Sequence, residues 1–273
     1  MPATDVAVAQ VVSRDGTEIG VFTSGTGPPL VLVHGGLGDH TRWDVLRPSL
    51  EPHFTVHAMD RRGRGASGDG PDHRLEREAE DVAAVVEAVA DRSGSAVAVY
   101  GHSYGGLCAF GAATLTSRID RLVLYEGWPP VDPAAWAAPP GFLERLEELL
   151  AAGDREAVLE TFLREFVQMS DQEIDAYRDQ PSWQGRVAAA HTIVREERAF
   201  QERAFDPEAA ATITVPALLL VGEDQSLDWQ GETVRDALPN ARIRVLEGQA
   251  HTADIVAPEL VAEELLTFLF QQP

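Results

Sequence analysis

The sequence predicts an α/β protein, a doubly wound and mostly parallel sheet of about eight strands with an inserted all-helical lid. Three observations carry this. Short apolar, β-branched runs alternate with helical patterns over residues 1–128. Between 129 and 213 helical patterns follow one another without a strand. From 214 to 273 the alternation resumes. The expected division is therefore a core of residues 1–128 and 214–273, interrupted by a lid at 129–213.

Val6–Val12 and Ile19–Thr23 flank Asp15-Gly16, the signal of a hairpin. Leu30–Val33 is short and wholly apolar, as a buried parallel strand requires. Trp43–Leu50 reads as a helix and Phe54–Met59 as the next strand. Leu75–Ala90 starts acidic and places Val82, Val85, Val86 and Val89 at helical spacing. Ala96–Tyr100 (strand), Gly105–Thr116 (helix) and Arg121–Tyr125 (strand) complete the first half. Phe142–Ala152, Arg155–Gln168, Asp171–Asp179 and Gln184–Phe205 are the lid helices, approached through the Pro-rich Trp128–Pro140. Ala217–Val221 and Arg242–Leu246 are strands, Gln230–Leu238 and Pro258–Phe270 helices.

A chain of 273 residues with 44% apolar content can bury a full core. Its net charge of -22 disfavours nucleic acid and anionic membranes as partners. Every cation is an arginine, and the acids are scattered over what reads as a solvated surface. The single cysteine, Cys108, cannot form an internal disulfide and reads as a small core residue. Neither a signal peptide nor a membrane-spanning run is evident, so a soluble cytoplasmic protein is expected. There is no metal-ligand spacing and no Rossmann or P-loop fingerprint, so no cofactor is expected. The expected partner is a small-molecule substrate; the sequence is silent on oligomeric state.

Gly101-His102-Ser103-Tyr104-Gly105 lies between a strand and a helix. Gly-x-Ser-x-Gly is a short pattern whose meaning depends on context, and strand–turn–helix is the context that exposes a serine hydroxyl at a helix N-terminus. The alternative is an ordinary turn whose serine caps the helix. Three further motifs each follow a strand. They are His34-Gly35-Gly36, Asp60-Arg61-Arg62-Gly63-Arg64-Gly65-Ala66-Ser67 and Gly248-Gln249-Ala250-His251.

With these four motifs in this order the chain resembles an α/β-hydrolase over nearly its full length. The resemblance makes residues 101–106 the nucleophile elbow, 34–36 the oxyanion loop, 60–67 a scaffolding loop and 248–251 the catalytic-histidine loop. Ser103 is then the nucleophile and His251 its base, because a serine hydroxyl needs a base within hydrogen-bond reach. His251 is the only histidine in a loop after a late strand, and it fits the chain order serine, acid, histidine. The N–H groups of Gly36 and Tyr104 are candidate oxyanion donors, with Leu37 as the alternative second donor.

The triad acid departs from the common pattern. Relatives often place an aspartate three residues after the glycine that ends the penultimate strand; here that glycine is Gly222 and the position holds Gln225. Two candidates remain open: Glu126 at the tip of the strand after the elbow helix, a place used by haloalkane-dehalogenase-like members, and Asp224, one residue early. Among lid aromatics Trp183 and His191, with Trp128 at the approach, are candidates to line the pocket. The implied activity is hydrolysis of a small to medium, partly apolar ester, lactone or thioester. C–C bond hydrolysis, cofactor-free perhydrolysis and a non-catalytic ligand-binding role on the same fold are the alternatives. A dehalogenase or epoxide hydrolase needs an aspartate where Ser103 stands.

Overall fold

The computed structural model describes residues 7–70, 72–136, 138–223 and 228–271. Eight strands, β1 (Ala7–Val12), β2 (Glu18–Gly25), β3 (Pro29–Val33), β4 (Thr55–Met59), β5 (Val97–His102), β6 (Ile119–Tyr125), β7 (Ala217–Gly222) and β8 (Ala241–Leu246), form one sheet. Their order is β1-β2-β4-β3-β5-β6-β7-β8. β1 with β2 and β2 with β4 are antiparallel, and the remaining pairs are parallel.

The apolar stretches of the central strands divide their side chains between two cores by simple alternation. Val31, Val33, Val99, Leu122, Leu124, Leu219 and Val221 point to one face, into a cluster with Val82, Val86 and Cys108. Leu30, Leu32, Tyr100, Val123, Leu218 and Leu220 point to the other, among Leu50, Val261 and Leu265. Each such buried aliphatic side chain contributes about 1.5–3 kcal/mol.

The helices are α1 (Arg47–Leu50), α2 (Leu75–Ser93), α3 (Tyr104–Ala113), α4 (Phe142–Ala151), α5 (Arg155–Thr161), α6 (Asp171–Arg178), α7 (Trp183–Ala189), α8 (His191–Gln201), α9 (Pro207–Ala211), α10 (Asp228–Ala237), α11 (Ala253–Val256) and α12 (Pro258–Leu269). Three expected helices are divided. Trp43–Leu50 is a 3-10 turn (His40–Asp44) followed by α1, whose Pro48 lacks the N–H that a continuous helix would use. Arg155–Gln168 is α5 continued by a π-helical turn at Phe162–Phe166. Gln184–Phe205 breaks at Ala190 into α7 and α8. The short α9 and α11 have no counterpart in the apolar periodicity.

Between β6 and β7 the described residues form only helices. This insertion has its own apolar core of Phe142, Leu146, Val158, Leu159, Ile174, Trp183, Ile193 and Val194, and Leu37 of the loop after β3 packs against it. Ser170 and Glu173 form a reciprocal cap at the start of α6, satisfying N–H groups the first turn leaves open.

Candidate active site

Register places the chemistry. Val33 lies beside Gly101, His102 beside Tyr125, Tyr125 beside Leu220, and Gly222 beside Leu246. The loops that follow these strands therefore emerge together at the carboxyl end of the sheet, where open α/β sheets bind ligands.

Ser103 sits between β5 and α3 with φ 54° and ψ -130°, a sparsely populated conformation for a residue with a Cβ. Its surroundings hold it there. Its N–H donates to Tyr125 O at 2.9 Å, and its carbonyl accepts from Gly106 N at 2.7 Å. The glycines around it allow backbones to meet: a Cβ on Gly105 would lie 2.3 Å from His34 O, and one on Gly127 would lie 2.2 Å from Ser103 O. One on Gly35 would lie 2.9 Å from Ser103 Cβ, so the loop after β3 runs directly past the serine.

His251 occupies the turn after β8. Its Nδ1 bonds to Glu126 Oε2, and Glu126 Oε1 accepts from Gly222 N at 2.7 Å. The Glu126 side chain is fully buried, while that of His251 is 40% exposed, so only the imidazole opens toward solvent. Glu126 has φ 43°, a left-handed strand tip fastened by Glu126 N to Leu220 O at 3.0 Å. The histidine turn is held from three sides. His102 Nε2 lies 2.7 Å from His251 O, the Tyr125 hydroxyl donates to Ala250 O, and Glu223 N donates to Gln249 O at 2.8 Å. The same nitrogen lies 3.2 Å from Arg42 Nη2, so it sits between a carbonyl that only accepts and a guanidinium that only donates. Burial first, and then the neighbouring Arg42, push the His102 pKa well below the ordinary value and keep the ring neutral. Arg42 is itself paired with Asp254 through two bonds of 2.8 Å.

The loop after β3 is built from a second neutral histidine. Arg61 N donates to His34 Nε2 at 3.1 Å, so Nδ1 holds the proton and donates to Gly35 O at 2.8 Å. Burial, reinforced by Arg64 and Arg61, holds the His34 pKa far below the usual range. Arg61 also reaches Gly35 O at 3.1 Å, pairs with Glu78 through bonds of 2.7 and 2.8 Å, and bonds Glu196 at 2.8 Å. Arg64 bonds the same Glu196 oxygen. Glu196 lies on α8, so a buried ion cluster ties the helical insertion to this loop. A Cβ on Gly36 would meet only Glu196 Oε2, at 3.6 Å. Among the described residues no internal hydrogen bond takes up the N–H of Gly36 or of Tyr104. Arg61 also stacks over the Tyr104 ring at 4.3 Å.

The profile of the alpha/beta hydrolase family matches residues 30–264. The chain belongs to that family. It is a hydrolase enzyme, and several of its relatives align over nearly their whole length. A non-heme haloperoxidase of Rhodococcus erythropolis is 28% identical over 277 residues, covering 95% of this chain and 98% of that one. The crystal structure of an alpha/beta hydrolase from Sphaerobacter thermophilus superposes with a TM-score of 0.81 at 35% identity, covering 96% of this chain and all of that one. The esterase RhEst1 from a Rhodococcus species superposes at 0.70 with 26% identity, covering 96% and 98%.

In this α/β hydrolase Ser103, His251, Glu126, Gly36 and Tyr104 come together at the strand tips. Asp224 and Gln225 lie outside the described residues. The lid candidates differ from expectation. Trp183 is buried in the insertion's own core, and its indole N–H donates to Glu156 at 3.1 Å. Its apolar bulk is used to hold α5 against α7 rather than to meet Ser103. His191 Nε2 lies 3.2 Å from Asp69 and its Nδ1 3.1 Å from Ala188 O, which fastens α8 to the loop after β4. Trp128 is buried in the main core, with its ring against Gly231 of α10. None of the three bonds to Ser103, His251 or Glu126. Residues with no sequence signal complete the surroundings: Tyr125 and His102, which pin the histidine turn, and Arg42 with Asp254, 212 positions apart. The 60–67 loop matches its expected scaffolding part. Asp60 accepts from His40 N at 2.6 Å and Ala66 N at 2.7 Å, and Arg62 is paired with Asp81 through two bonds of 2.7 Å. No described helix is long and apolar enough to cross a membrane.

Proposed function

We propose that the protein hydrolyses a small to medium, partly apolar carboxylic ester, lactone or thioester through an acyl-enzyme on Ser103, under a lid formed by residues 129–213. The observation that carries this reading is the bond of Glu126 to His251 Nδ1 beside the strained Ser103 turn. A carboxylate on Nδ1 keeps the proton there and leaves Nε2 free as a base. His251 Nε2 takes the Ser103 proton as Oγ attacks the substrate carbonyl. The N–H groups of Tyr104 and Gly36 receive the developing oxyanion. His251 then protonates the leaving group, and water activated by the same nitrogen releases the acid.

The relatives named haloperoxidase support a second reading on the same residues. Hydrogen peroxide in place of water would attack the acyl-enzyme, giving a peracid and free Ser103.

Fluorophosphonate labelling followed by peptide mass spectrometry tests the mechanism. The expected adduct is one phosphonyl group on Ser103, absent in Ser103→Ala. Labelling at another residue, or none in a folded protein that also cleaves no ester, overturns it. Peracid formed from acetate and hydrogen peroxide separates the second reading from the first.

A further inference from the structure

We propose that Arg186 is an anion receptor that gives this hydrolase a preference for esters bearing a free carboxylate. This rests on the ester-hydrolase reading above and adds a substrate class to it.

Arg186 lies on α7, on the side of the insertion that faces the oxyanion loop. Its Nη1 is 3.5 Å from Leu37 O, two residues beyond the glycine that touches Ser103. Its Nε is 3.3 Å from Ser182 Oγ. Both distances are long for an N–H donor. The guanidinium lies over the Tyr177 ring at 4.3 Å, so a ring covers its face and its donor edge is only loosely used.

The charge environment is unusual for this chain. Arg61, Arg62 and Arg64, the other deeply placed arginines, all contact carboxylates at ion-pair distance. Arg186, half-buried, is in no ion pair within 4 Å among the described residues. The charges facing it are Asp39, Arg42 and the Tyr177 hydroxyl. Asp39 Oδ1 is taken by Thr41 N and Thr41 Oγ1, its Oδ2 lies beside Gly185 of α7 but not within 4 Å of the guanidinium, and Arg42 is paired with Asp254. Burial, the leading cause, lowers the pKa of Arg186, and the Asp39 charge offsets it in part without forming an ion pair. A guanidinium presents parallel donors matched to a carboxylate, and a substrate carboxylate would supply the missing partner. Leu37 itself has φ 59°, and its carbonyl faces Arg186 of α7, while Gly35, two residues earlier, lies beside the serine. The anion would thus sit next to, but not in, the oxyanion pocket.

The test compares each monomethyl half-ester of the linear C4 to C8 dicarboxylic acids with its carboxamide isostere. Wild type is expected to favour the carboxylate at least about 10-fold in kcat/KM at one chain length, through KM. Arg186→Gln should abolish that ratio, and Arg186→Lys should restore part of it. A ratio near one in wild type needs no variant to interpret, and it overturns the proposal. So does an Arg186→Gln variant in which both substrates fall together, because that is what a purely structural latch between α7 and Leu37 predicts. Equilibrium binding of the two isosteres to Ser103→Ala gives a readout independent of turnover. Carboxylate-selective binding that Arg186→Gln removes supports the receptor even if no ester is cleaved; equal binding of both isosteres refutes it.

Discussion

Replacing Glu126 with glutamine exchanges one oxygen for an NH2 group at the centre of the site. Oε1 accepts the Gly222 N–H at 2.7 Å, and a glutamine carbonyl can keep that bond. Its NH2 group must then face His251 Nδ1, where Glu126 Oε2 now sits. An NH2 group only donates, so Nδ1 becomes an acceptor and the imidazole proton moves to Nε2. The base that Ser103 needs is gone. The expected loss is about 10⁴-fold in kcat, or roughly 5.4 kcal/mol at 1.36 kcal/mol per decade. Stability should change little, since the Gly222 bond is retained and the site stays filled. If the amide turned the other way, its NH2 would oppose the Gly222 N–H, and a buried unsatisfied donor would cost about 1–3 kcal/mol. Measuring kcat on p-nitrophenyl acetate together with the melting temperature separates the two orientations. Turnover within tenfold of wild type, with Asp224→Asn inactive, would refute the assignment of the acid.

Four further outcomes follow from the same geometry. Ser103→Gly should abolish ester turnover yet raise stability by about 1 kcal/mol, because glycine relieves a φ of 54°; a lowered melting temperature contradicts stored strain at the elbow. Gly127→Ala should destabilise the fold and remove activity, because its Cβ would meet Ser103 O; a folded and active variant shows the elbow can spread. Arg61→Met should cost about 3–5 kcal/mol in urea unfolding, since it leaves Glu78 in the interior without its arginine and with His73 as its remaining ion-pair partner; a neutral effect would mean the cluster reorganises. Burial, with help from the Glu196 charge, raises the pKa of Glu197 to about 8. Its proton stays on in the fold between about pH 4.5 and 8 while the unfolded chain loses it, so stability should decline as pH rises through that window. Glu197→Gln should remove this decline and melt higher than wild type at pH 8 while matching it at pH 4; parallel pH curves for the two proteins refute the shift.

The parts of the site that are legible in the sequence are those fixed by backbone shape. Ser103, Gly36 and His251 follow strands, and glycines stand where chains must touch, so local pattern reveals them. Glu126 ends an apolar run at a strand tip, which makes it one of two candidates, the other being Asp224, and the structure puts its carboxylate on His251 Nδ1. The rest depends on packing between distant segments. Trp183 and Trp128 are apolar rings that fill any core equally well, and only the tertiary arrangement decides which one. His191 could face a pocket or a carboxylate, and Asp69, 122 positions away, decides it. The breaks that divide the expected helices at Ala190 and Thr161 carry no proline or glycine, so composition does not announce them.

One oxygen of Glu196 serves both Arg61 and Arg64, and through Arg61 it reaches the carbonyl of Gly35. The helical insertion is therefore not an exchangeable module. A transplanted insertion without a carboxylate at this point would take from Arg64 its ion-pair partner and leave Arg61 with Glu78 alone, in a dry interior directly behind the loop after β3. Such a chimera would be strained in the host rather than in the graft, and any exchange of the insertion must carry position 196 with it as part of the host's own architecture.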